Sequence, residues 1–69
     1  MKEIGTATDT IQIMIVDDHA IVRQGLEALM KTVPGFSVVA EGSDGEEAVA
    51  LYRQHQPDVT LMDLRLPKL

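Results

Sequence analysis

Three short apolar runs alternate with two longer segments of helical spacing. The first run, IQIMIV at 11–16, is rich in β-branched residues and broken only by Gln12. That pattern predicts a strand covered on both faces, as in a parallel sheet flanked by helices. Over 19–33, Val22, Leu26, Leu29 and Val33 recur as one helical stripe, with Arg23, Gln24, Glu27 and Lys31 on the other side. Asp18 or His19 stands where an N-cap belongs, and Pro34-Gly35 is a stop signal. Gly25 within this helix costs about 1 kcal/mol relative to Ala, which a close helix–sheet approach would explain. FSVVAE at 36–41 predicts a second strand. A second helix is predicted over 43–56. Ser43 and Glu46 have the spacing of a capping box, and Asp44, Glu46 and Glu47 gather at the positive end of the helix dipole. Ala48, Leu51 and Tyr52 supply its buried side, and Pro57 ends it. VTLMDL at 59–64 predicts the third strand. Met14, Met30 and Met62 read as core filling, and residues 1–10 as a flexible polar lead-in.

The order β-α-β-α-β with short connections implies an α/β fold with a parallel sheet and right-handed crossovers. Asp17 and Asp18 follow the first strand, and Asp63 closes the third. Neighbouring strands lie about 4.8 Å apart, so the three acids meet only if the first and third strands are adjacent. That is strand order 2-1-3, the flavodoxin-like, doubly wound order whose switch point lies between those two strands. In order 1-2-3, Asp63 would stand one strand further away. Carboxylates brought together repel unless a proton or a cation joins them. An oxygen-only cluster suits Mg²⁺ or Mn²⁺, and a carboxylate beside such an ion can act as a nucleophile toward phosphorus.

Charge and composition narrow the partners. The net charge is −5, and the six basic residues (Lys2, Arg23, Lys31, Arg53, Arg65, Lys68) are scattered, which argues against nucleic acid or an anionic membrane as a partner of this segment. No cysteine is present, which excludes a disulfide, a thiolate metal site and a thiol nucleophile. The 69 residues suit one small domain, the apolar runs fall short of a membrane span, and the N-terminus lacks a signal-peptide core, so the cytoplasm is the expected compartment. His19 reads as a helix-start packing or capping residue, and His55 as a solvated residue at a helix C-terminus.

The segments IMIVDDHAIVRQGL, AEGSDGEEAV and PDVTLMDLRLPKL, taken in order and spacing, resemble the N-terminal half of a response-regulator receiver domain of the NarL/FixJ type, over 11–69. Each motif is weak alone; the three together are specific. The resemblance implies that Asp63 is the phosphoacceptor, taking a phosphoryl group from a phosphohistidine of a sensor histidine kinase. It implies that Asp18 is the principal acid for Mg²⁺, with Asp17 as its helper, and that the backbone carbonyl of Arg65 is a further ligand in a turn shaped by Pro67. A complete receiver of this family adds a Ser or Thr after a fourth strand and a Lys after a fifth, and a DNA-binding domain usually follows. The chain is therefore expected to be a truncated receiver that binds Mg²⁺ weakly without stable phosphorylation, and not an enzyme.

Two other readings fit parts of the chain. One is a Mg²⁺-dependent phosphatase or nuclease. The D-x-D pattern of haloacid-dehalogenase-type phosphatases and the Glu with D-x-D of toprim-type nucleases do not match Asp17-Asp18 and D-x-R. The other is an oligomerising structural fragment. In order 2-1-3 the third strand is a sheet edge carrying Val59, Leu61, Met62 and Leu64, which predicts a homo-oligomer joined through that edge.

Overall fold

The structure, a computed structural model, describes residues 10–63. Five elements follow in order: β1 (Ile11–Val16), α1 (Ala20–Lys31), β2 (Phe36–Gly42), α2 (Gly45–His55) and β3 (Val59–Met62). The sheet is parallel throughout, in the order β2-β1-β3. This is the doubly wound order on which the meeting of the acids depends. The third strand is shorter than the apolar run suggests and ends at Met62, so Asp63 lies just past it.

β1 is the spine. Ile13, Met14, Ile15 and Val16 are all essentially buried. Met14 and Val16 form a core with Ala48 of α2, against which Ala40, Leu51 and Met62 pack. Ile13 and Ile15, at the alternate positions, point to the opposite face. Gln12, the polar break in the run, binds at the lower end of the sheet. Its N–H donates to Asp58 Oδ2 at 2.8 Å, and its carbonyl accepts from the Asp58 N–H at 2.8 Å. β2 carries one irregularity: the register moves from Ile13–Val38 to Met14–Ala40, so Val39 is an extra residue, a bulge.

The helices depart from the predicted pattern in three places. α1 buries no residue fully; Leu26, Met30 and Val33 are half-buried, whereas Val22 and Leu29 are exposed and Ile21 is 82% exposed. The packed face therefore runs through Arg23, Leu26 and Met30, with Val33 following just past the helix, and is turned from the expected stripe toward β2. Both helices lie over β1 and β2, which leaves the flank of α1 nearest β3 open. On α2, Ala48 is buried and Leu51 half-buried as expected, but Tyr52 is 51% exposed, beside the same uncovered side of the sheet. The cap of α2 also sits one residue later than the S-x-x-E spacing suggested. Asp44 is the N-cap and accepts from the Glu47 N–H at 2.8 Å, while Glu47 Oε1 accepts from the N–H and Oγ of Ser43 at 2.6 and 2.9 Å. Extended Asp44 can reach the third helical residue, which leaves Ser43 to be held by the glutamate.

The close helix–strand approach is at Gly42, not Gly25. A Cβ on Gly42 would stand 3.3 Å from Leu51 Cδ1, whereas one on Gly25 would meet nothing within 4 Å. Gly25 thus brings only the backbone freedom that a helix interior must give up. Gly25→Ala is expected to stabilise the chain by about 1 kcal/mol, read as a higher urea midpoint with an unchanged slope.

Candidate metal centre

The ladder does not stop where the strands end. The Asp17 N–H donates to the Gly42 carbonyl at 3.1 Å, and the Asp63 N–H donates to the Val16 carbonyl at 3.1 Å. The register places Val16 opposite both Gly42 and Met62, so the next residues on β1 and β3 come level. Asp17 and Asp63 are therefore neighbours because the main chain positions them. Asp17, Asp18, His19 and Asp63 each offer a ligand atom, and these atoms all lie within 4.8 Å of one another. Asp17 is only 9% exposed, and Asp18 and His19 open to solvent.

Two groups at the start of α1, Arg23 and the N-cap His19, face the acids. Arg23 Nη1 donates to the Asp17 carbonyl at 2.7 Å, and its Nε stands 3.9 Å from Glu41 Oε1 on β2. The predicted stripe had put Arg23 on the solvent side. Its side chain instead reaches back one and a half turns and ties the β1–α1 corner to β2. His19 is the N-cap of α1, but makes no side-chain cap bond. Its N–H donates to Asp17 Oδ1 at 2.9 Å, and its Nδ1 lies 3.0 Å from Asp17 Oδ1 and 2.8 Å from Asp18 Oδ1. Carboxylate oxygens only accept, so Nδ1 carries a proton shared between the two.

This was not legible from the sequence, where His19 reads as a capping or packing residue. The signal was present: a histidine next to two acids, ahead of the first turn of a helix. The hydrogen bond to Asp17 raises the His19 pKa above the ordinary 6.5, reinforced by the charge of Asp18 and then by those of Asp17 and Asp63, against a smaller opposing effect of desolvation.

The donor set fits a hard divalent cation. Three carboxylates converge at the carboxyl ends of adjacent parallel strands, in a crevice lined by Val16, Asp17, His19, Val22, Leu26 and Asp63 among others. Arg65, whose carbonyl the sequence suggested as a further ligand, and Pro67 lie outside the described residues.

The model of the response regulator receiver domain matches residues 13–69. The chain belongs to this receiver family. Its relatives include response regulators of the NarL/LuxR type. The transcriptional regulatory protein DegU of Brevibacillus brevis is 49% identical over 59 residues, covering 86% of this chain and 25% of that protein. A two-component response regulator of the LuxR family from Aurantimonas sp. SI85-9A1 superposes with a TM-score of 0.81 at 52% identity, over 86% of this chain and 42% of that one. CheY6, in a complex with the P1 domain of CheA3 from R. sphaeroides, belongs to a structure that matches with a TM-score of 0.78 at 36% identity, over 88% of this chain and 48% of the other. The chain thus spans a quarter of the curated relative and less than half of these solved chains.

The contacts of His19 carry a testable electrostatic signature. With its pKa raised, His19 stabilises the folded state fully below pH 6.5, and this stabilisation is lost as pH rises through the raised value. In chelator-treated buffer the His19 ring protons are expected to titrate above 6.5 by NMR, and Asp17→Asn to lower that midpoint. A His19 titrating at or below 6.5 would contradict the described contacts.

Proposed function

We propose that this receiver segment is the phosphoacceptor half of a two-component transcription regulator, with Asp63 as the residue that takes the phosphoryl group. The observation that carries this reading is the backbone pairing of Asp63 beside Asp17, which gathers three carboxylates within 4.8 Å at the switch point of the sheet. In the transfer, an Asp63 carboxylate oxygen attacks the phosphorus of a phosphohistidine. The new O–P bond forms as the P–N bond breaks, and the electron pair stays on the departing imidazole nitrogen, which then takes a proton from water. Asp17 and Asp18 would hold Mg²⁺ together with Asp63. The ion, when bound, offsets the negative charge of the transferring oxygens. Arg23 fixes the main chain of Asp17, and so the direction in which the acid pair points.

The partner is a sensor histidine kinase in the cytoplasm, a reading supported by the CheY6–CheA3 P1 complex among the solved neighbours. The segment accepts and holds a group instead of turning over a substrate. Its −5 charge supports a regulator whose DNA contacts lie elsewhere. A chimera tests this: residues of this chain replace the matched 59-residue segment of the Brevibacillus DegU. Acetyl phosphate with Mg²⁺ is expected to label the chimera on Asp63, and Asp63→Asn to abolish the label. Label that persists in Asp63→Asn, or its absence from the unmutated chimera, sinks the assignment.

A second reading concerns association. Among the described residues β3 pairs only with β1, and its outer edge carries Val59, 42% exposed. Apolar grooves flank it on both sides, one along Val22, Leu26 and Leu61, the other along Val49, Tyr52 and Met62. These features support a homo-oligomer joined through the β3 edge. Light scattering of this chain at rising concentration is expected to show a growing mass. A folded monomer of constant mass at high concentration would rule the edge contact out.

A further inference from the structure

β2 reaches Asp17 through two adjacent residues. The Gly42 carbonyl accepts from the Asp17 N–H at 3.1 Å. Glu41 Oε1 stands 3.9 Å from Arg23 Nε, and Arg23 Nη1 donates to the Asp17 carbonyl at 2.7 Å. Both polar groups of the Asp17 main chain are thus held, one by β2 directly and one by β2 through α1. A guanidinium suits the second task, because its rigid fork meets a carbonyl with one nitrogen and faces a carboxylate with another.

The bulge at Val39 makes this arrangement possible. Residues paired across neighbouring strands share a face of the sheet. Below the bulge Ile13 pairs with Val38; above it Ile15 pairs with Glu41 and Val16 with Gly42. Glu41 therefore stands on the face of Ile13 and Ile15, where Arg23 of α1 meets it. Without the extra residue, Glu41 would pair with Val16 and turn to the face that packs on Ala48 of α2. Gly42 holds that place instead, and a Cβ there would already come within 3.3 Å of Leu51 Cδ1. One extra residue thus keeps a carboxylate off a crowded apolar face and presents it to Arg23.

Stability is a weak motive for the pair. Its side chains are 23% and 31% exposed, and ion pairs open to water are screened. Direction is the stronger one. With Nε turned to Glu41, Nη1 is aimed at the Asp17 carbonyl.

We infer that Glu41 is a positioning residue of the acid site: through Arg23 it sets the main chain of Asp17, and so the affinity of the three acids for Mg²⁺. The inference rests on the proposed reading of Asp17, Asp18 and Asp63 as metal-holding acids. What it adds is a control on β2, outside the cluster itself.

The test follows Mg²⁺ binding to this chain by calorimetry and the Asp17 carbonyl by ¹³C NMR. Arg23→Met keeps an apolar stem and removes the charge. By Coulomb's law alone, losing a cation beside the acids tightens Mg²⁺ binding; lost positioning is expected to weaken it about tenfold. Lys31→Met removes a cation from the exposed end of the same helix and is expected to leave the affinity within about twofold. Glu41→Gln is expected to move the Asp17 carbonyl resonance and to weaken Mg²⁺ binding, by a factor about threefold smaller when Arg23→Met is already in place. Circular dichroism verifies the fold of each variant. Mg²⁺ binding that holds or tightens in Arg23→Met, or a Glu41→Gln effect equal in the two backgrounds, overturns the inference. Should Arg23→Met unfold, Glu41→Gln decides alone: an unmoved Asp17 carbonyl resonance overturns the inference. In either case the acid site stands if Asp63→Asn abolishes Mg²⁺ binding. If Asp63→Asn binds Mg²⁺ as the unmutated chain does, the acid site itself fails, and the inference falls with it.

Discussion

Two backbone hydrogen bonds, Asp17 N–H to the Gly42 carbonyl and Asp63 N–H to the Val16 carbonyl, hold this structure's chemistry in place. Both extend the ladders of β1 by one residue past the strands. They exist because β1 has a partner on each side and because the three strands end level. A slip of one residue would turn Asp17 or Asp63 to the other face of the sheet. Such a slip is opposed by the burial of four consecutive residues on β1, which fill both faces at once. The hydrophobic core and the acid site are therefore consequences of one register.

The same register creates an electrostatic problem, which α1 answers at two different atoms. Arg23 takes the main-chain carbonyl of Asp17, and His19 takes the side chains of Asp17 and Asp18. The division has a physical logic. A guanidinium is always charged, and here it secures geometry regardless of conditions. An imidazole gives up its proton as pH rises, so its hold on the carboxylates depends on conditions. The start of α1 thus ties down the main chain of the corner through Arg23 and meets the carboxylates through His19.

What could be read in the sequence follows from how local each signal is. The order of elements, the extent of β1 and the meeting of the three acids were legible, because alternating apolar runs and strand-end aspartates report on the chain around them. Arg23 was misplaced because a helical stripe defines an apolar face but not its rotation against the sheet. The choice between Leu29 and Met30 is settled by what α1 packs on, and α1 leans toward β2. Tyr52 stands exposed for the related reason that α2 lies over β1 and β2 with an open groove beside β3. Ser43 and Asp44 are both good caps, and only the backbone at Asp44 decides between them. The role of His19 depends on side-chain rotation at a corner, which no periodicity encodes.

The three acids are not equally well supported. Asp17 follows a strand buried on both faces and is held at its N–H and its carbonyl. Asp63 follows β3, a four-residue strand paired on one side among the described residues and flanked by two open grooves. The free energy of placing Asp63 therefore draws largely on the pairing of β3 with β1. An ion that requires Asp63 together with Asp17 and Asp18 binds only when β3 is docked, and by mass action it stabilises that docking. On the proposed reading, metal binding and the docking of β3 would be coupled in this segment. By the same linkage, a contact that steadied β3 would raise the affinity of the acids for an ion that needs all three.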